Sequence, residues 1–150
     1  ALTARGQMLA VAESCTGGWV AKVLTDIPGS SAWLERGFVT YSNAAKQDML
    51  GVSAQTLETH GAVSAAVVGE MVSGALQHSR AQVALAISGI AGPGGGTPDK
   101  PVGTVWLAWG LDGAEPVARR MHFAGDRAQV RLQAVLAVLH GLLDLLAADV

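Results

Sequence analysis

The sequence predicts a single α/β domain in three layers, with a mixed β-sheet of about five strands and helices on both faces. Segments of strand-like composition alternate with segments in which apolar residues recur at helical spacing, and two of the strand-like segments are almost wholly apolar. Strands that are apolar on both sides are typical of a sheet covered by helices on both faces. A chain of 150 residues is also the length of one domain with its own core, so we assign residues 1–150 to one domain.

The five predicted strands are short runs bounded by glycine, proline or polar clusters. They cover residues 8–12, 33–41, 82–88, 102–109 and 116–123. Gly6 ends a short helical segment ahead of the first strand. Asp112 and Gly113 lie in a turn between the fourth and fifth strands. These two strands are therefore predicted to pair as a hairpin, which makes the sheet mixed.

The predicted helices begin after capping residues and mostly end at glycine. They cover residues 19–24, 44–50, 53–59 and 64–79, and a last helix follows Asp126, its expected cap. In the last helix the apolar spacing predicts one buried stripe, made of Leu132, Val135, Leu136, Leu139, Leu142, Leu143 and Leu146. A spanning helix needs about 20 nearly uninterrupted apolar residues. Polar residues interrupt this stretch, namely Gln133, His140, Asp144 and Asp149. The interruption favours a core helix over a spanning one.

Composition excludes several classes of protein. The chain is 50% apolar and 15% charged, which excludes intrinsic disorder. Its net charge of −2, with scattered Lys and Arg, predicts no binding of nucleic acid. The single cysteine, Cys15, cannot form an internal disulfide, and the lack of a secretory signal favours the cytoplasm. A surface poor in charge suggests a homo-oligomer, for which we expect a homodimer, and the opening residue Ala1 suggests a start inside a longer protein.

The first candidate site is the segment 13–18, with the sequence ESCTGG, where the first strand ends and a helix begins. Free backbone N–H groups and the positive end of the helix dipole meet at such a turn, which suits an anion or an oxyanion. Ser14 and Cys15 are both chemically capable nucleophiles there. The alternative is that Ser14 or Thr16 only caps the helix and Cys15 only packs in the core.

The second candidate site is the glycine-rich segment 88–97, within a loop that extends to Pro101. Its glycines let the backbone approach a ligand closely. No Gly-Lys-Ser/Thr follows, so the segment is not a Walker A loop, and the strand that follows excludes the dinucleotide fingerprint. A loop of this length is usually functional, although a flexible turn is the alternative.

Lysine and histidine are the candidate bases. The four histidines share no motif and no metal-ligand spacing, so the sequence predicts no metal site. Lys46 follows the second strand, and it would serve as a base for serine if burial lowered its pKa. Otherwise it is a solvated helix lysine. Arg36, Arg127 and Arg131 are candidates for binding a phosphate or a carboxylate.

Five segments occur together and in order, namely residues 13–18, 36–46, 60–64, 88–96 and 100–105. This combination resembles the C-terminal domain family of the competence/damage-inducible protein CinA, over essentially the whole chain. The resemblance implies hydrolysis of the carboxamide of nicotinamide mononucleotide to nicotinate mononucleotide and ammonia, which feeds the recycling of NAD. It implies no cofactor. The family's name suggests a role in competence or DNA damage, but no residue here supports contact with nucleic acid.

The resemblance also implies roles for individual residues. The family is regarded as using a serine–lysine pair, which here corresponds to Ser14 and Lys46, with Tyr41 as a helper near the pair. Ser88 and Arg127 are implied at the site as well. The substrate-binding residues that we predict are Cys15, Thr16, Gly17, Gly18, Ser88, Gly89, Gly92, Gly94, Gly95, Thr97 and Arg127. The expected partner is nicotinamide mononucleotide as a small-molecule substrate, with no nucleic acid and no membrane.

Three alternatives remain open. Cys15 would be the nucleophile if a histidine served as its base. The chain would be a nucleotide-binding module of the same fold if it lacked catalysis, although the intact Ser14, Tyr41 and Lys46 argue against this. A structural partner subunit would bind no ligand at all.

Overall fold

The computed structural model describes residues 1–148 of the chain. Their helices are α1 (Leu2–Arg5), α2 (Trp19–Thr25), α3 (Asn43–Leu50), α4 (Ala54–His60), α5 (Ala65–Gln77) and α6 (Arg127–Ala148). Their strands are β1 (Leu9–Glu13), β2 (Leu34–Val39), β3 (Val83–Gly89), β4 (Thr104–Leu111) and β5 (Val117–His122). A short 3-10 helix, Ser30–Ala32, precedes β2. Every strand and helix that the sequence predicts is present, with bounds within two residues of the predicted ones.

The sheet is mixed, as predicted. Its strand order is β2-β1-β3-β4-β5. Strand β1 runs parallel to both β2 and β3, whereas β4 runs antiparallel to β3 and to β5. The predicted hairpin of β4 and β5 is therefore confirmed.

Alternating side chains of the strands build two separate cores. Leu9 and Val11 of β1 point to the face covered by α2 and α6. Ala10 and Ala12 point to the opposite face, which is covered by α3, α4 and α5. Because successive side chains of a strand lie on opposite faces, a strand that is apolar throughout serves both cores. The three-layer arrangement is thereby confirmed.

The two connections that leave β1 and β2 pass to opposite faces of the sheet. The connection after β1 contains α2, and the connection after β2 contains α3, α4 and α5. In open α/β sheets, ligands bind outside the carboxyl ends of strands whose connections diverge in this way. The fold therefore places a crevice where the segments after β1 and β2 begin.

The buried face of α6 differs from the predicted stripe. Leu132, Leu136 and Leu143 are 44%, 49% and 58% exposed, so the prediction was wrong for these three leucines. The buried residues of α6 are instead Val130, Ala134, Val135, Val138, Gly141, Leu142 and Leu146. Helix spacing alone does not decide which of two apolar faces meets the sheet. The residue Asp149 of the prediction lies outside the described part of the chain.

Small residues let α6 lie close to the sheet. The indole ring of Trp109 on β4 fills the space above Gly141, and its Nε1 donates to the carbonyl of Val138 at 2.8 Å. By length and composition α6 is also apolar enough to cross a membrane, but its inner face packs on the sheet. Its packing is that of a core helix, as predicted.

We expect Gly141→Ala to lower the free energy of unfolding by about 1–3 kcal/mol, the usual cost of overpacking a core. A Cβ at this position would lie 2.1 Å from Cζ2 of Trp109, so the ring or the helix must move. Urea denaturation measures the change. Gly69→Ala in α5 is the matched control, since its Cβ would meet nothing within 4 Å. Gly69→Ala is expected to stabilise by about 0.5–1 kcal/mol, and equal effects of the two variants would contradict the packing argument.

Candidate active site

A cleft of about 320 Å³ lies at the carboxyl ends of β1, β2 and β3. Its volume is within the range of small-molecule sites. Its lining consists of Ser14, Cys15, Tyr41, Asn43, Lys46, Ala62, Val63, Ser88, Gly89, Ile90, Ala91, Gly92, Gly94, Gly95 and Arg127. An apolar groove of about 390 Å³ between α1 and the end of α6 is lined by no charged side chain among the described residues. The groups capable of catalysis therefore gather in the first cleft.

Ser14 and Lys46 meet at the base of this cleft. Lys46 Nζ lies 3.1 Å from Ser14 Oγ and donates to the carbonyl of Thr40 at 2.8 Å. Ser14 directly follows β1, and Lys46 lies in the first turn of α3, which Ser42 caps by accepting from the amide of Ala45 at 3.0 Å. The cap fixes where α3 begins and turns Lys46 inward. Two residues 32 positions apart are thus in direct contact.

Burial controls the charge of Lys46. The side chain is 1% exposed, and this burial lowers the pKa of the Lys46 amine below its ordinary value of 10.5. A neutral amine has two N–H groups and one lone pair. With one N–H donated to Thr40, the lone pair can accept the hydroxyl proton of Ser14. The pair can therefore generate a serine nucleophile.

The carboxylate of Glu13 occupies the N-terminus of α2. It is buried and accepts from Thr16 Oγ1 at 2.7 Å, from the amide of Val20 at 2.9 Å and from the amide of Ala21 at 3.0 Å. The amides of Val20 and Ala21 are therefore not available to a bound anion, because the chain's own carboxylate fills that position. An acidic residue at the end of an otherwise apolar strand was the signal for this role.

Arg127 brings a positive charge to the mouth of the cleft. Its Nη1 donates to the carbonyl of Gly92 at 2.8 Å, and its Nη2 donates to the hydroxyl of Tyr41 at 2.9 Å. Asp126 positions it by capping α6, since Asp126 Oδ1 accepts from the amide of Gln129 at 2.9 Å. Tyr41 is 62% exposed, and its hydroxyl contacts Arg127. The guanidinium thus joins the segment after β2 to the glycine-rich loop.

Comparison with known proteins fits this geometry. Residues 1–146 match the CinA C-terminal domain. The chain belongs to this family. It is 61% identical over 142 residues to the nicotinamide-nucleotide amidohydrolase PncC of Escherichia coli K12, which covers 95% of this chain and 86% of that protein. It is 58% identical over 134 residues to the protein of the same name from Pseudomonas putida, an alignment that covers 89% of this chain and 83% of that protein.

Solved structures of the CinA superfamily have the same fold. A competence-damaged protein superfamily member of Klebsiella pneumoniae superposes with a TM-score of 0.94 at 46% identity, covering 98% of this chain and 91% of that one. A competence/damage-inducible protein of Agrobacterium tumefaciens superposes with a TM-score of 0.93 at 49% identity, covering 96% and 88%. Together with the identity to curated amidohydrolases, this assigns the chain to the amidohydrolases.

The structure divides the predicted substrate-binding residues of this CinA domain into two groups. Those in the lining of the cleft are Cys15, Ser88, Gly89, Gly92, Gly94, Gly95 and Arg127. Thr16, Gly17 and Gly18 instead line a shallow depression on the other side of the turn, beside Trp19 and Arg131. Thr97 also lies outside the lining, and its hydroxyl accepts from the amide of Lys100 at 3.0 Å. Of the residues in the turn that follows β1, Ser14 and Cys15 are therefore the ones that line the cleft.

Sequence reasoning missed several residues of the cleft. Asn43, Ala62, Val63, Ile90 and Ala91 line it without having been assigned a role. All five lie in segments whose order carries the family resemblance, which was the available signal. Lys100 holds the segment containing Ala62 and Val63 against the glycine-rich loop, since its Nζ donates to the carbonyl of His60 at 2.7 Å.

Cys15 faces the cleft but is a poor nucleophile. Burial raises the pKa of its thiol to about 11. The thiolate is the reactive form of cysteine, so this thiol is inert near neutral pH. The histidine base that the alternative requires is absent from the cleft, since its lining contains none of His60, His78, His122 and His140.

We expect Cys15→Ala to keep kcat within about threefold of wild type, because the thiol stays protonated and donates nothing to the pair. The measurement is kcat for ammonia release from nicotinamide mononucleotide, the expected substrate, with and without prior treatment with iodoacetamide. If the reagent inactivated wild type but spared Cys15→Ala, the thiol would be reactive in the cleft, which would contradict the expectation that it stays protonated. Loss of most activity in Cys15→Ala itself would instead identify Cys15 as the nucleophile.

Proposed function

We propose that this chain hydrolyses the carboxamide of nicotinamide mononucleotide, giving nicotinate mononucleotide and ammonia. The observation that carries the proposal is the contact of 3.1 Å between Ser14 Oγ and the buried Lys46 Nζ inside the cleft. The names of the relatives, which are 58–61% identical over most of their length, support this substrate. In a cell, the reaction would take place in the cytoplasm and return the pyridine nucleotide to the synthesis of NAD.

The first half of the reaction forms an acyl-enzyme. Lys46 Nζ takes the hydroxyl proton of Ser14 while Oγ bonds to the carboxamide carbon, and the carbonyl π-electrons move to its oxygen. Backbone N–H groups that follow Ser14 hold the oxyanion. When the tetrahedral intermediate collapses, the carbon–nitrogen bond breaks and the Lys46 ammonium protonates the leaving nitrogen. Ammonia departs, and Ser14 carries the nicotinate nucleotide as an ester.

The second half returns the free enzyme. Lys46, neutral again, takes a proton from a water molecule that attacks the ester carbon. Collapse of the second tetrahedral intermediate breaks the bond between the ester carbon and Ser14 Oγ, and Lys46 returns its proton to that oxygen. The carbonyl of Thr40 holds Nζ at 2.8 Å throughout, so one lysine serves both halves without moving. The proposal requires no metal and no organic cofactor.

The cleft has separate ends for the two parts of the substrate. We assign the carboxamide to the end that contains Ser14, Lys46 and the buried Ser88. We assign the phosphate to the mouth, where Arg127 meets the backbone of the glycine-rich loop. Hydrogen bonds between guanidinium and phosphate are among the stronger polar contacts in proteins. This orientation makes the phosphate a determinant of specificity.

The test is ammonia release by the purified chain from nicotinamide mononucleotide, nicotinamide riboside and free nicotinamide. We expect turnover of the nucleotide, with kcat/KM at least about tenfold above that of the riboside, because a charged hydrogen bond contributes about 1.5–3 kcal/mol. Binding of the nucleotide without turnover by the folded chain would favour the nucleotide-binding module. If the folded chain neither bound nor turned over the nucleotide, the remaining alternative would be a structural partner subunit.

A homodimer is also proposed from the composition. The exposed leucines of α6 support it, since Leu132, Leu136 and Leu143 form an apolar face outside the core. Contiguous apolar surface of this kind marks interaction sites.

A further inference from the structure

We propose that Arg131, which lies outside the cleft, sets the direction of the Thr16 backbone N–H and thereby preforms the oxyanion hole. The inference rests on the proposed amide hydrolysis and adds to it a positioning residue. Arg131 is half-buried on α6, and its Nε donates to the carbonyl of Cys15 at 3.0 Å. Its Nη2 donates to the carbonyl of Thr16 at 3.1 Å.

The guanidinium is held rigidly on the outer side of the turn. Its Cζ lies 5.4 Å from the centre of the Trp19 ring, over which it stacks. A guanidinium is planar and always charged, and it presents its N–H groups as a fixed fork. The Trp19 ring against its face and the two carbonyls that accept from its N–H groups hold the Arg131 guanidinium in one orientation. Consecutive carbonyls of the turn are therefore fixed in direction.

A fixed carbonyl also fixes the N–H of the same peptide unit. In a trans peptide the C=O and the N–H point in opposite directions. Among residues 1–148 the cis bond is that between Gly92 and Pro93, so the peptides of the turn are trans. Because both carbonyls point at Arg131, the N–H groups of Thr16 and Gly17 point away from it. The Gly17 N–H shows this direction directly, since it donates to the carbonyl of Ser14 at 3.0 Å.

The remaining amides determine which N–H is available to the reaction. The amide of Ser14 is already engaged, because it donates to the carbonyl of Ile87 at 3.1 Å. Within the described part of the chain, the amides of Cys15 and Thr16 donate to no backbone carbonyl. Arg131 aligns the Thr16 N–H, and its positive charge polarises that peptide unit and strengthens the donor.

Glu13 holds the same residue from the opposite side. Its carboxylate accepts from Thr16 Oγ1 at 2.7 Å, so Thr16 is fixed through its side chain as well as through its backbone. Without Arg131 the Cys15 carbonyl would lose its partner, and rotation of this peptide would turn a carbonyl oxygen toward the developing oxyanion. Loss of one oxyanion donor costs about 10²–10³ in kcat. We expect a loss of about 10- to 100-fold, since the turn keeps its other contacts.

The experiment compares Arg131→Met with Arg119→Met in the purified chain. Arg119 is a matched control, because its guanidinium also stacks on a tryptophan, 5.5 Å from the centre of the Trp109 ring, and it does not line the cleft. We expect Arg131→Met to lower kcat for nicotinamide mononucleotide with KM within about twofold, and Arg119→Met to leave both unchanged. Arg131→Lys, which keeps the charge but not the fork, is expected to fall between them.

Two further readouts separate a positioning role from a structural one. The first is the boronic acid analogue of the substrate, in which Ser14 Oγ bonds to boron and Lys46 takes the proton, giving a tetrahedral anion. Its affinity is expected to fall by the same factor as kcat in Arg131→Met. The second is nucleotide affinity in a Ser14→Ala background, which is expected to stay unchanged, while the Thr16 amide resonance shifts in the NMR spectrum.

The outcomes distinguish this inference from the proposed function. If wild type turns over the nucleotide and Arg131→Met keeps its full kcat, the inference is wrong and the function stands. A parallel loss of kcat and of nucleotide affinity would also overturn it, because Arg131 would then act on substrate binding. If wild type shows no turnover, both are wrong. Should Arg131→Met fail to fold, Arg131→Lys with full kcat and unchanged boronate affinity would overturn the inference equally.

Discussion

Ser14→Ala is expected to lower kcat for nicotinamide mononucleotide by a factor of about 10³–10⁶, the scale seen when one member of a catalytic unit is removed. In the proposed mechanism the variant removes the atom that bonds to the substrate, and the adjacent thiol of Cys15 cannot replace it because burial raises the pKa of that thiol to about 11. The backbone contacts of residue 14 are kept, since they use its amide and carbonyl. Ammonia release measures the loss of catalysis, and the midpoint of unfolding checks separately that the variant keeps its fold.

Ser30→Ala is the matched control for this prediction. Ser30 and Ser14 are both 9% exposed, but Ser30 lies in the 3-10 helix before β2 and does not line the cleft. It is expected to keep full activity. If Ser14→Ala retained more than about a tenth of wild-type kcat, serine attack would be the wrong mechanism. Mass spectrometry of the enzyme quenched during turnover would then show the acyl group on a residue other than 14, or none at all.

The positions of the site were more predictable than its contacts. Ser14 and the glycine-rich loop stand out locally, because each is a polar or flexible segment directly after an apolar strand. The sequence did not predict the strand order, and it is the parallel pairing of β1 with β3 that brings the two segments to one edge of the sheet. Thr16, Gly17 and Gly18 are in the same segment as Ser14 and yet line a different depression, beyond a turn in which the Gly17 amide donates to the carbonyl of Ser14 at 3.0 Å.

Lys46 could not be recognised as buried from its neighbours. The residues around it in α3 are polar or small, and an isolated helix of this sequence would expose its lysine. Its side chain is 1% exposed because it reaches the ends of β1 and β2, where Nζ lies against Ser14 Oγ and the carbonyl of Thr40. This contact is tertiary, and only the family resemblance pointed to it. The buried face of α6 escaped prediction for the same reason, because its partners lie on the sheet and on α2.

Lys46→Met is expected to lower kcat by a factor comparable with that of Ser14→Ala, because no other described side chain lies at Ser14 Oγ to accept its proton. Methionine has a length close to that of lysine, so it fills the same space beside Thr40. Lys22→Met is the control, since Lys22 is exposed and pairs with Asp26 at 2.7 Å. A Lys46→Met variant that folds and keeps more than about a tenth of wild-type activity would exclude lysine as the base.

The pH dependence follows from the lowered pKa of Lys46. The proposed mechanism needs the neutral amine, so kcat/KM is expected to fall about tenfold per pH unit once the pH drops below that pKa. The free energy of unfolding also depends on pH through the same lysine. Between the lowered pKa and 10.5, the unfolded chain binds a proton at Lys46 that the folded chain does not, so the free energy of unfolding rises with pH through this window.

Comparing wild type with Lys46→Met isolates this effect on stability. Below the lowered pKa both states of wild type carry the charge, and the cost of burying it is fully present. The stability of wild type relative to Lys46→Met is therefore expected to be lowest there and to rise as the pH approaches 10.5. Urea denaturation of both proteins at several pH values measures the difference. A difference that does not change with pH would mean that Lys46 keeps its ordinary pKa in the fold, and the neutral-base mechanism would be wrong.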